Sequence, residues 1–94
     1  MEKAIALLEV RAMVSAIVGL DAMVKTADVN LIHVEKRLGG WLVTVIVEGS
    51  VSACTAALEA GKEAASAVGT VFCAEVIARP HADIMKFVKT DEGV

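Results

Sequence analysis

Residues 29–48 read VNLIHVEKRLGGWLVTVIVE, and the segment has the form of a β-hairpin. Val29 to Lys36 alternates between apolar and polar side chains, which suits a strand with one covered face. Trp41 to Glu48 is dense in β-branched residues, which crowd a helix but fit a pleated surface. Between them, Arg37-Leu38-Gly39-Gly40 places two glycines where a tight reversal needs positive φ.

The flanking segments are helical. On the N-terminal side, Met13, Ala16, Ile17, Leu20 and Val24 recur at helical spacing, so an amphipathic helix is expected from about Met13 to Lys25 with these residues inward. Asp21 and Lys25 form an i,i+4 acid–base pair on its outer side. Gly19 costs a helix up to about 1 kcal/mol against Ala, so it marks close packing. Ala4 to Val10 (AIALLEV) precedes this helix as a largely buried strand. On the C-terminal side, Ser50 stands at an N-cap position and Gly69 at a C-terminal stop. The Ala-rich helix between them, Val51 to Val68, turns Val51, Cys54, Leu58, Gly61, Ala65 and Val68 to one side. Thr70 to Ile77 is a fourth strand, Arg79-Pro80-His81 breaks it, and Ala82 to Val88 is a short last helix before a frayed polar tail, Lys89 to Val94.

The order β-α-β-β-α-β plus a C-terminal helix is an α+β, ferredoxin-like plan with a four-stranded antiparallel sheet. No repeat or linker interrupts it, so residues 1–94 form one domain with its core at about 4–88. Many functions use this plan, and the fold alone names none.

Composition narrows the choice. Of the 94 residues, 56% are hydrophobic, and the mean hydropathy is +0.67. A domain this small has too little interior for that, so apolar surface must be covered by other copies or a partner. The longest uncharged run, Ala64 to Ala74, contains Gly, Ser and Thr and falls short of the roughly 18 apolar residues of a membrane span. Glu2 and Glu9 argue against a signal peptide, so a cytoplasmic location is expected. The net charge of −3, without a Lys/Arg block, disfavours nucleic acid.

The side-chain chemistry does not suggest an enzyme. Phe72 alone cannot stack bases as an RNA-binding sheet would. A metal carrier would need a Cys-x-x-Cys pair, and an acyl-phosphate hydrolase a phosphate-cradling loop; neither is present. Cys54 and Cys73 read as small buried hydrophobes kept as thiols. His33 reads as a partly exposed structural histidine, and His81 as a capping or interface residue. No carboxylate pair stands at catalytic spacing.

One set of segments occurs in a telling order: Asp21-Ala22-Met23-Val24-Lys25, Leu42-Val43-Thr44-Val45-Ile46-Val47-x-Gly49, the Ala/Gly-rich helix ending at Gly69, and Val76-Ile77-x-Arg79-Pro80-His81-x-Asp83. Over residues 4–88 the chain resembles the single-domain shell proteins of bacterial microcompartments. The resemblance implies the same αβ plan or a permutation of it. It implies flat cyclic hexamers that tile side by side into shell facets around enzymes, with no catalysis and no cofactor. Expected partners are sister copies in a homohexamer, other shell proteins, the enclosed enzymes and small metabolites. A hexamer would also cover the surplus apolar surface.

The resemblance also assigns places. It puts Lys25 and Arg79 on the seam between hexamers, where a guanidinium offers five donors to a neighbour's carbonyls and a lysine stem lies flat. His81 orders the turn beside Arg79. Asp28 stands where relatives often have Asn, placed to pair with Arg79 or Lys25 across the seam. The loop Lys36, Arg37, Leu38, Gly39, Gly40 is assigned to the pore on the sixfold axis, one residue longer than usual. Six copies of Lys36 and Arg37 would favour anions there. Trp41 is expected to pack under the loop rather than close it. The loop has no cysteine, so no iron–sulfur cluster is expected. Ala12 stands where relatives often have Gly. The competing reading, a ferredoxin-like domain that senses a small ligand, rests on the generic plan and the Gly-Gly loop alone.

Overall fold

A computed structural model describes residues 3–89; the expected tail therefore lies outside the described residues except for Lys89. The elements are β1 (Ala4–Arg11), α1 (Met13–Thr26), β2 (Asn30–Arg37), β3 (Leu42–Gly49), α2 (Val51–Ser66), β4 (Val71–Ala78) and α3 (Ala82–Lys89). All strand pairs are antiparallel and the sheet order is β2-β3-β1-β4, the ferredoxin-like order expected from the sequence.

Strand alternation explains the layers. Ala4, Ala6, Leu8 and Val10 of β1 and Val43, Val45 and Val47 of β3 face α1 and α2 and form the main core. Ile5 and Ile46 point the other way and meet Val88 of α3 in a smaller cluster. The central strands β1 and β3 are therefore apolar on both faces near this end of the sheet. Glu48 fastens α3 further. Its largely covered carboxylate faces the ammonium groups of Lys89 at 3.6 Å and Lys3 at 3.8 Å.

Both helices turn different residues inward than their hydrophobic spacing suggests. The covered side of α1 is Ser15, Ala16, Gly19 and Met23, while Ile17 is 58% and Val24 44% exposed. On α2, Cys54, Leu58, Gly61 and Ala65 go inward as expected, joined by Ala57. Val51 and Val68 at the two ends do not. The cause is the distance between the helices. A Cβ on Gly61 would lie 2.6 Å from Met23 Cγ, and one on Gly19 would lie 2.9 Å from Leu8 Cδ2. At that separation the crossing takes glycines at Gly19 and Gly61 with Met23 filling the space beside Gly61, and Val14, Ile17 and Val24 are turned outward.

Caps and thiols follow local chemistry. Ser50 Oγ accepts from the Ala53 N–H at 3.1 Å, the expected N-cap. Cys54 is fully buried and its Sγ donates to the Ala4 carbonyl at 3.4 Å. Burial raises its thiol pKa above the ordinary value, and the Glu48 charge adds to this while a backbone hydrogen bond at Gly49 opposes it. Cys73 corrects the expectation of burial. It pairs with Glu9 on the edge strand β4, on the face away from the helices, and is exposed.

The junction into α1 carries strain. Ala12 has φ 74° and ψ 154°, a region populated almost only by glycine. Two hydrogen bonds hold the turn, Arg11 N–H to Thr70 O at 2.9 Å and Ala12 N–H to Trp41 O at 2.8 Å. Such a conformation costs about 1–3 kcal/mol, against which glycine gives back up to about 1 kcal/mol through its freer unfolded chain. Ala12→Gly should therefore raise the thermal midpoint by several degrees. A lowered midpoint in a thermal scan would show that the Ala12 methyl group contributes more by packing than its backbone loses.

Candidate functional site

The expected functional residues collect at opposite ends of the sheet. Arg11, Leu42 and Arg37 pair across β1, β3 and β2 at one end, where the β2–β3 loop projects. Ala4, Gly49 and Ala78 pair across β1, β3 and β4 at the other. Eight-residue strands separate the two ends by about 25 Å.

At the loop end, Leu38 to Gly40 form a tight turn that Trp41 N–H closes by donating to Leu38 O at 3.2 Å. Leu38, Gly39 and Gly40 have φ of 56°, 66° and 96°. Left-handed backbone through three residues suits the glycines and strains Leu38, whose side chain stands 75% exposed. Lys36 and Arg37, expected together, are divided between faces. Lys36 pairs with Val43 and so lies on the helix side, whereas Arg37 pairs with Leu42 on the open side. Both are exposed. Arg37 Nε lies 4.0 Å from Glu35 Oε2. Trp41 precedes β3 rather than opening it. Its ring lies under the Arg11 guanidinium, 3.9 Å from carbon to centroid, and is 54% exposed, so its partner is a residue of β1 that the sequence did not suggest rather than the loop.

At the far end, Lys25 is in the last turn of α1, paired to Asp21 at 2.8 Å. Asp28 follows in the α1–β2 connection, its carbonyl close against Gly49. Arg79 stands after β4 with φ 49° directly before Pro80, where the proline ring restricts its neighbour's backbone. Its N–H donates to Lys3 O at 3.1 Å and anchors the turn. His81 caps α3, its Nδ1 accepting from the Asp83 N–H at 3.1 Å, as one of its two expected roles requires. The four residues assigned to a seam thus share the end away from the loop. On the outer side of α1, Val14, Ile17 and Val24 form an apolar stripe with Asp21 and Lys25 beside it.

The open face of the sheet holds a cavity of about 430 Å³ beneath α3, with Leu7, Leu42 and Phe87 among its walls. Its polar groups largely satisfy each other. Thr44 Oγ1 donates to Glu9 Oε2 at 3.2 Å, and His33 Nε2 meets Glu35 Oε1 at 2.9 Å. His33 was expected to be partly exposed, and its side chain is more covered than that, at 12% exposed. Among the described residues, no group of three or more His, Cys, Asp or Glu is arranged to hold a metal ion. No described helix is long and apolar enough to cross a membrane.

Comparison with known proteins gives this domain a family. The BMC domain family model matches residues 4–80. The bacterial microcompartment shell protein PduA of Citrobacter freundii is 46% identical over 87 residues, covering 93% of this chain and 92% of that one. The shell protein EutM of Salmonella typhimurium is 45% identical over 82 residues, covering 87% and 84%. The carboxysome shell protein CsoS1A of Hydrogenovibrio crunogenus is 43% identical over 82 residues, covering 86% and 84%. The crystal structure of a microcompartment protein from Desulfitobacterium hafniense DCB superposes with a TM-score of 0.81 at 26% identity, over 95% of this chain and 48% of that protein. The chain belongs to the BMC domain family of bacterial microcompartment shell proteins.

Proposed function

We propose that the protein is a structural tile: a homohexamer whose rings meet edge to edge in the facets of a microcompartment shell, in the cytoplasm, around enclosed enzymes. The observation that carries this reading is the separation of the two ends. A domain with a projecting loop at one end and Lys25, Asp28, Arg79 and His81 at the other closes into a ring with loops inward and the seam residues outward. The apolar surplus supports it. Val14, Ile17, Val68 and Phe72 are each more than half exposed in the single chain, which a lone protomer in water would not favour.

In this arrangement the ring surrounds a passage lined by Lys36, Arg37, Leu38, Gly39 and Gly40, through which small metabolites cross. Its role is selection and enclosure rather than catalysis. Sizing by light scattering tests the ring directly. A species of about 59 kDa, six times the 9.8 kDa chain mass, is expected. A persistent monomer, or a dimer that forms only with a small ligand, would replace this reading with the sensor.

A further inference from the structure

We infer that Arg11 and Arg37 form an anion-binding site on the open face of the sheet, with Trp41 as its platform. The ligand class is a small oxyanion, phosphate or carboxylate in type. Register places the two residues. Both pair with Leu42, one from β1 and one from β2, so their side chains leave the same face on either side of it. Two strand spacings put their Cα atoms about 10 Å apart, and two arginine side chains readily span that gap.

The stacking of Arg11 is the decisive feature. The guanidinium carbon lies over the Trp41 ring, 3.9 Å from its centroid, a separation that suits stacking. Its N–H donors lie in the guanidinium plane, so stacking holds the group still while leaving that donor edge available. The backbone of Trp41 is held in place, because its carbonyl accepts from Ala12 N–H at 2.8 Å. Arg11 is therefore positioned in advance and loses little side-chain freedom when an anion arrives. Arg37 is held less firmly. Its 4.0 Å approach to Glu35 is an exposed pair, of a kind that holds weakly, and an oxyanion with several acceptors competes for the same fork. Glu9, two register positions from Arg11 on the same face, already accepts from Thr44.

The site goes beyond the passage loop, since Arg11 lies outside it in sequence. Its bearing on transport rests on the ring; its existence does not. Trp41 is the protein's single tryptophan and reports directly. Intact wild-type protein is titrated with inorganic phosphate, sodium chloride holding the ionic strength constant. A saturable change in Trp41 emission is expected, at least tenfold weaker in Arg11→Gln and in Arg37→Gln. Arg37→Gln should leave the emission without phosphate unchanged, whereas Arg11→Gln should alter it. Circular dichroism checks that each variant is folded. No saturable response in wild type, or an undiminished response in the double variant, overturns the site. A flat titration on correctly sized rings rejects the site alone, and a full titration on protein that forms no rings rejects the tile alone.

Discussion

Arg79→Ala should leave rings intact and abolish the extended arrays they form. Arg79 sits in the β4–α3 turn, exposed, at the end of the sheet away from the loop. Its backbone is held by the hydrogen bond to Lys3 O and by Pro80, and Ala tolerates the left-handed φ of 49° about as well as Arg does. The substitution therefore spares the turn and removes the guanidinium, with its planar set of donors for a neighbour's carbonyls. Each lost contact costs about 1 kcal/mol. The contact recurs at every edge of a ring, so the losses multiply and the array should disappear rather than thin. Electron microscopy of concentrated protein, paired with sizing of the same sample, reads both levels. Arrays as extensive as those of wild type would remove Arg79 from the seam.

The largest expected effect on stability comes from Gly61→Val. The α1–α2 crossing leaves no room: a Cβ at Gly61 meets Met23 Cγ at 2.6 Å and Sδ at 2.9 Å, with the Gly19 carbonyl at 3.3 Å. Met23 is fully buried, so moving its side chain aside disturbs a close-packed core. A branched side chain must push the helices apart, which costs about 3 kcal/mol. That corresponds to a thermal midpoint lower by about 15 °C in a chain of this size. Gly61→Ala with Met23→Ala, which empties the space the new methyl needs, should recover part of a single Gly61→Ala loss. A midpoint for Gly61→Val within about 2 °C of wild type would mean that the crossing is looser than it looks.

Which parts of this arrangement were legible in the sequence follows from how local each signal is. The hairpin at 29–48 was readable because alternation, β-branching and a Gly-Gly turn are properties of neighbours. Ser50 as a cap and the Asp21–Lys25 pair were readable for the same reason. The inward face of α1 was not. Hydrophobic spacing pointed to Ile17 and Val24, but the inward side was set by the close approach to another helix, where Met23 fills the space that the missing side chain of Gly61 leaves. Cys73 misled for a related reason. In an alternating strand it lies on an inner or an outer face according to register, and register with β1 put it beside Glu9.

The candidate site divides along the same line. Lys25, Arg79 and the 36–40 loop could be named only by resemblance, since none carries chemistry by itself. The register then showed Asp28 and Arg79 at the same end of the sheet. Arg11 escaped notice because nothing local marks it; only the pairing of Arg11 with Leu42, and hence its approach to Trp41, brings it to the loop. The strain at Ala12 was visible as an unusual residue, but its φ of 74° had to be seen.

The division of Lys36 and Arg37 between opposite faces gives a ring of these chains a front and a back. A solute arriving from the helical side would first meet compact, strongly hydrated ammonium heads; one arriving from the other would first meet flat guanidinium forks. The two mouths would differ in which anions they strip of water, so a wall laid with every tile the same way up could admit a compound more readily than it releases it while that compound is being consumed within.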